Sequence, residues 1–392
     1  MDEVTSLEVS PALHPEDSLN NCIQCGDCSG ICPVGYLMDF PPSKIIAAMR
    51  AETYPRVLSS DSAWFCIACS ACTAVCPAQI PVTENLMART KEELLMSGQV
   101  PEELKKALES TQRYGNPLGE SPRKRMDWIR GIEDQVPVLG NGKTKTDVLW
   151  YVGDYASYHP RVQLSSRALA TILNLLGVDF AILGNDEYSD GDSQRLAGEQ
   201  GLFEMLAEKN GRAFRKYRFN RIITTDPHAY NALKNEYPKL GIGYFVQHYT
   251  VFLAERLDAL KPLLRNPIES VITYHDACYL GRVNRIYEPP RELLTAIPGV
   301  TLVEMPHHRQ NSLCCGGGGG GMWLDGFYWN RARTRLSEWR VREASRSGAQ
   351  ILAVACPYET PRFEDAVKTT GMVEELTVRD ISELLLNSIQ YK

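Results

Sequence analysis

The sequence predicts an α+β multidomain protein: a helical, cysteine-rich N-terminal domain, then two α/β repeats, the first lacking its cysteines. Three observations carry the prediction. Eight of the twelve cysteines form two copies of one short run before residue 77. Residues 147–230 and 271–360 match one another in order. Short β-branched or aromatic runs alternate with helical stretches through both repeats, which is doubly wound architecture. The boundaries read as 1–97, a linker at 98–146, then 147–262 and 263–392.

Composition sets the class. Of 392 residues, 44% are hydrophobic and 23% charged, as in globular proteins. A net charge of −6 gives no basic surplus for a nucleic-acid backbone. Apolar runs such as Ala168 to Leu176 fall short of the roughly 18 residues of a spanning helix. Met1 to Ser10 carries acids where a signal peptide carries bases, so a cytoplasmic location is expected. Cysteine-rich chains of this size and setting point to metal or redox chemistry rather than disulfides.

The N-terminal domain is defined by its cysteines. Cys22, Cys25, Cys28 and Cys32 precede Pro33; Cys66, Cys69, Cys72 and Cys76 precede Pro77. Both read C-x2-C-x2-C-x3-C-P, the ferredoxin run for a [4Fe–4S] cluster, in which the fourth cysteine ligates the other cluster of a pair. One cluster is therefore expected on Cys22, Cys25, Cys28 and Cys76, the other on Cys66, Cys69, Cys72 and Cys32. Paired zinc knuckles are the alternative, but zinc usually takes two separated C-x2-C pairs per site. Between the runs, Pro42 to Leu58 suits a long helix, with Ile45, Ile46, Ala48, Met49 and Val57 apolar. This insert, with Ser43-Lys44-Ile45-Ile46 and Val57 to Trp64, resembles the small iron–sulfur subunit of heterodisulfide reductase, which implies an α-helical ferredoxin.

The repeats follow. Runs at Val148 to Val152, Phe180 to Leu183, Ile222 to Thr225, Val271 to Tyr274 and Ile351 to Ala355 suit buried parallel strands. Ser165 to Leu175 and Trp329 to Arg346 suit helices. Ligands on such folds gather at the C-terminal ends of strands, where Asp154, Asp226, Cys278 and Cys356 fall. The second repeat holds the remaining cysteines: Cys278 after Thr273-Tyr274-His275, the pair Cys314-Cys315 before six glycines from Gly316, and Cys356 before Pro357-Tyr358-Glu359.

These motifs resemble the cysteine-rich "CCG" domain of heterodisulfide reductase catalytic subunits and of glycolate, lactate and glycerol-3-phosphate oxidising complexes. The whole chain resembles a fusion of small and catalytic subunits, as in the D-type heterodisulfide reductases. The glycine run followed by Met322-Trp323 is most similar to the DsrK group. That family pattern normally ends in C-P-x-C; here the last position is Glu359. The resemblance implies a further [4Fe–4S] cluster on Cys278, Cys314, Cys315 and Cys356. It would be either a cubane, or a noncubane unit with one iron open or bound by Glu359. Structural zinc is the alternative, although an adjacent Cys-Cys pair is awkward at a tetrahedral ion. No GK[ST] follows the glycines, so they make no phosphate loop. Gly316 and Gly317 either belong to a loose loop or let backbone approach cluster and substrate. His275 either donates a proton to a departing thiolate or is an ordinary buried strand-end histidine.

In the first repeat the matching positions hold Asp154, Ser189, Asp190, Asp226 and Ala229. They mark either a retained scaffold or a carboxylate site for a hard cation. Linker residues Arg123, Lys124, Arg125 and Trp128 belong either to a solvated connection or to a loop that covers a substrate channel or meets a partner.

The expected activity is that of an iron–sulfur oxidoreductase. Two cubanes would relay electrons to the special site, which reduces a disulfide or trisulfide or oxidises a dithiol. The resemblance implies a cytochrome b-type or other membrane redox subunit as partner, a small sulfur-carrier protein as substrate, and a peripheral position at the membrane. A pure electron-transfer subunit of a flavin-dependent hydroxyacid oxidase or hydrogenase-linked complex is the alternative. Cluster potentials span roughly −700 to +450 mV with environment, which leaves the direction of flow open.

Overall fold

The computed structural model describes residues 18–390. The acidic segment Met1 to Ser10 lies outside them. Among the described residues no helix is long and apolar enough to cross a membrane.

The N-terminal domain is built from short helices wound around the cysteine runs. The expected long insert is two pieces, Pro42–Arg50 and Pro55–Leu58. Glu52 turns the chain at φ 56°, and Pro55 opens the second piece because its missing N–H is harmless at a helix start. The apolar face survives the break: Ile45, Ile46 and Val57 are buried.

Two four-stranded parallel sheets follow. The first runs β2-β1-β3-β4, with β1 Val148–Tyr151, β2 Phe180–Ile182, β3 Arg221–Thr224 and β4 Val246–His248. The second has the same order, β6-β5-β7-β8, with β5 Ser270–Tyr274, β6 Val300–Val303, β7 Ile351–Val354 and β8 Thr377–Asp380. Parallel strands covered on both faces need continuous apolar runs; all four residues of β1 are buried. The sequence pattern missed the edge strands β4, β6 and β8. β6 is largely half-buried and β8 carries Arg379 and Asp380, so neither reads as a buried run. The expected helix Trp329 to Arg346 starts later, at Leu336, and Trp329 instead ends a separate short helix, Asp325–Trp329.

The repeats lock together through the helices Gln163–Leu175 and Ile381–Ser388. Arg161 bridges Glu364 at 2.6 Å and Glu383 at 2.9 Å, and the Tyr249 hydroxyl donates to Asp380 at 3.0 Å. One apolar core runs from Ile45 and Phe65 through to Leu352 and Phe363, joining the N-terminal domain to the second repeat.

Segment 98–146 is packed rather than solvated. Its helix Glu102–Tyr114 buries Leu104, Ala107 and Leu108 and ends at Gly115, φ 73°, a left-handed C-cap. Beyond it Arg125 and Trp128 are buried, while Arg123 and Lys124 are exposed.

Candidate functional site

The two N-terminal runs share one backbone form. Gln24 and Ala68, at matching positions, have φ 57° and 49°; Gly26 and Ser70 have φ 88° and 57°. Left-handed residues between cysteines curl each loop so that its thiols converge. Cys22, Cys25, Cys28 and Cys76 line one hollow, and Cys32, Cys66, Cys69 and Cys72 line another. Backbone N–H of Ile80 donates to the Cys76 sulfur at 3.4 Å. Burial and the neighbouring Cys69 push Cys32 up to about 12. Such crowded thiolates call for a metal centre whose positive charge offsets them.

The second repeat brings its cysteines to the C-terminal ends of β5 and β7. Cys314 neighbours Cys278, Cys315 and, from the N-terminal domain, Cys69, which together with burial raise its thiol. Cys356 is buried beside them, raised by burial and by the charges of Glu359, Asp226 and Cys315. Ligand atoms of His275, Cys315 and Glu359 lie within 4.8 Å of one another. Glu359 Oε1 stands 3.2 Å from His275 Nε2, and its Oε2 has no partner although buried. Burial pushes Glu359 up to about 7. Arg340 Nε donates to His275 Nδ1 at 2.9 Å. Because a guanidinium only donates, Nδ1 must accept, and the imidazole proton lies on Nε2, facing the cysteines and Glu359. Four thiols, a carboxylate with a spare oxygen and a directed N–H form a donor set that fits an iron–sulfur group.

The glycines press this site onto the N-terminal domain. A Cβ on Gly318 would lie 2.8 Å from the Ile67 carbonyl, and one on Gly319 would lie 2.8 Å from the Ala68 Cβ. Lys91, wholly buried, clamps the contact by donating to the Cys66 and Gly319 carbonyls at 2.7 and 2.9 Å. Arg282 ties the Cys69 carbonyl (2.7 Å) to those of Gln310 (3.0 Å) and Ser312. Beside it a cavity of about 430 Å³, lined by Ile31, Val75, His307, Asn311 and Leu313 among others, reaches both Cys69 and Cys314. That volume is in the range of small-molecule sites.

The first repeat keeps the geometry without the thiols. Gly191 and Gly316 share φ 82° and 84°. Where a cation was one alternative for Asp154, a guanidinium stands instead: Arg125 donates to Asp154 at 2.6 Å and to Glu187 at 2.7 Å. Asp190 and Asp226, deeper in, are pushed up by burial, Asp226 to about 6. Sequence reasoning missed Arg125 as this internal counter-ion, and also Glu187, Arg340 and the approach of Cys69. A basic residue opposite a repeat that had exchanged thiols for acids was the available signal for Arg125.

Comparison with known proteins fits this architecture. A cysteine-rich domain, CCG, matches residues 149–234 and again 272–358. A 4Fe-4S dicluster domain matches residues 18–80. The chain is 36% identical over 300 residues to the probable iron-sulfur-binding oxidoreductase FadF of Bacillus subtilis, covering 76% of this chain and 42% of that one. It is 32% identical over 306 residues to the EtfAB:quinone oxidoreductase of Syntrophomonas wolfei, again 76% and 42%. To the D-type subunit of the dihydromethanophenazine:CoB–CoM heterodisulfide reductase of Methanosarcina barkeri it is 29% identical over 289 residues, 71% of this chain and 66% of that one. The chain thus spans less than half the length of the first two relatives.

Proposed function

The chain is an iron–sulfur protein that joins a 4Fe–4S dicluster domain to two copies of the CCG cysteine-rich domain, and from this we propose that it is a redox subunit acting on sulfur. In this reading Cys22, Cys25, Cys28 and Cys76 hold one [4Fe–4S] cluster, and Cys32, Cys66, Cys69 and Cys72 the other. Cys278, Cys314, Cys315 and Cys356, with Glu359 beside them, hold a third group. The clusters supply single-electron transfer and, at the third, a metal able to take a substrate sulfur.

The contact of Cys69 with Cys314 supports the reading best, because it joins the dicluster domain to the third group through ligands. Reducing a disulfide takes two electrons and two protons and yields two thiols. The electrons come from a partner redox subunit, and the cavity at Cys314 admits the disulfide. His275 Nε2–H, fixed by Arg340, faces the sulfurs and can protonate a thiolate leaving the site. Run backwards, the same steps oxidise a dithiol. The partners that fit are a membrane quinone or cytochrome b-type subunit and a small sulfur-carrier protein.

A second reading is a relay without thiol chemistry. The deep burial of Cys315 and Cys356 favours it. Viologen-driven reduction of a disulfide such as cystamine separates the two. The wild-type protein is expected to oxidise reduced viologen with cystamine, and Cys315→Ala is expected not to. Equal rates with and without cystamine would leave only the relay.

A further inference from the structure

His228 belongs to the first repeat, yet its ring sits among the three cysteine loops of the second. It lies against Tyr279, which follows Cys278, with ring centroids 4.1 Å apart and the planes tilted by 30°. It meets Tyr358, two residues past Cys356, edge-on at 5.9 Å. Its Cε1–Nε2 edge lies 3.4 Å from where a Cβ on Gly318 would stand, in the run that follows Cys315. One side chain from outside the repeat therefore meets all three loops.

The opposite edge explains how the ring is aimed. His228 Nδ1 stands 2.8 Å from Asp192 Oδ2. Asp192 is wholly buried and also accepts from Arg195 at 2.9 Å and Asn231 at 3.2 Å. A carboxylate with two such donors stays ionised, so Nδ1 carries a proton and Nε2 is turned to Gly318. Burial opposes charge on the ring, but the bond to Asp192 and its charge push His228 up to about 10. Asp190 is driven toward its neutral form by burial, whereas Asp226, whose Oδ1 accepts from the His228 backbone N–H, is pushed up only to about 6 and still bears charge near neutral pH. Asp192 is the largest influence holding charge on the ring, and Asp226 and Cys278 add to it.

We propose that Asp192 and His228 form a positioning pair for the sulfur site of the second repeat, presenting Nε2–H as a hydrogen-bond donor that stabilises negative charge on sulfur there. The inference rests on the reading that Cys278, Cys314, Cys315 and Cys356 hold an iron–sulfur group. A donor or positive charge beside such a group favours its reduced state and raises its potential. The first repeat, having lost its own thiols, thereby contributes to the site of the second.

The test is an EPR-monitored redox titration of the cluster-loaded protein, with iron content measured on the same samples. His228→Phe keeps a ring against Tyr279 but removes the donor. It is expected to lower the midpoint potential of the third group and leave the two dicluster potentials in place. Asp192→Asn, which releases the ring, is expected to shift the third group the same way. A wild-type potential in His228→Phe with full iron overturns the pair. Should His228→Phe lose iron, an unmoved potential in Asp192→Asn overturns it. Wild-type protein holding only eight irons or so removes the third group and overturns the proposed function as well.

Discussion

Cys69 of the N-terminal domain and Cys314 of the second repeat line one cavity and act on each other's thiols, although they come from different domains. The neighbouring Cys314, with Arg282 nearby, overcomes burial and brings Cys69 down to about 6. Two would-be ligands of different metal groups in contact make a short path for an electron.

The glycine run sets that distance. Gly319, at φ 56°, leaves no room for a methyl group against Ala68. Gly319→Ala is expected to push the run away from the Cys66–Cys72 loop and to slow electron passage to the third group by tenfold or more. Freeze-quench EPR after mixing with reduced viologen would show the dicluster signals forming at the normal rate and the third lagging. Simultaneous reduction, as in wild type, would contradict the role given to the run.

The crossed assignment of ligands makes a separate prediction. Cys76 belongs to the second run in sequence but shares a hollow with Cys22, Cys25 and Cys28. Cys76→Ser should alter the same EPR signal as Cys22→Ser and leave the signal altered by Cys66→Ser intact. Grouping of Cys76→Ser with Cys66→Ser would reverse the assignment.

Arg125 carries a stability prediction. It is 3% exposed and pairs with two carboxylates that are themselves buried. Breaking a buried pair by removing one partner costs about 3–5 kcal/mol, because the charge left behind is uncompensated. Arg125→Ala should lower the urea midpoint accordingly, and Asp154→Asn in that background should restore part of the loss. An Arg125→Ala midpoint within error of wild type would contradict the role of Arg125 as the counter-ion of Asp154 and Glu187.

His248 predicts the acid side of the stability curve. Its Nε2 donates to the Thr225 carbonyl at 3.1 Å and its Nδ1 stands 2.7 Å from the Thr250 hydroxyl. Burial pulls it down to about 3. An unfolded histidine takes a proton near pH 6.5, which the folded one refuses. Its contribution is therefore complete above pH 6.5 and is lost as pH falls toward 3, by about 2 kcal/mol at pH 5. Urea unfolding at pH 7 and pH 5, in wild type and His248→Gln, should show that part of the loss vanishing in the variant.

Much of this was legible in the sequence, for physical reasons. The spacing of Cys22 to Cys32 and Cys66 to Cys76 is a local property of the chain, as are the apolar runs of β1, β3, β5 and β7. The matching order of the two repeats became two sheets with the same strand order. What stayed hidden depends on contacts across the fold. Cys69 meets Cys314 only because Gly318 and Gly319 bring the second repeat onto the loop of Ile67 and Ala68. Arg125 sat in a basic run that looked solvated, and only packing separates it from exposed Arg123 and Lys124. The helix expected from Trp329 begins only at Leu336, because residues 330–335 form turns that the pattern of apolar residues did not mark.

The central claim is that a third iron–sulfur group on the second repeat binds sulfur. It is tested most directly by metal analysis of anaerobically prepared protein, with EPR of the oxidised sample before and after a thiol is added. The account predicts about twelve irons per chain, no zinc, and a new paramagnetic signal with thiol that Cys315→Ala lacks. About eight irons with one zinc, and no response to thiol, would contradict it.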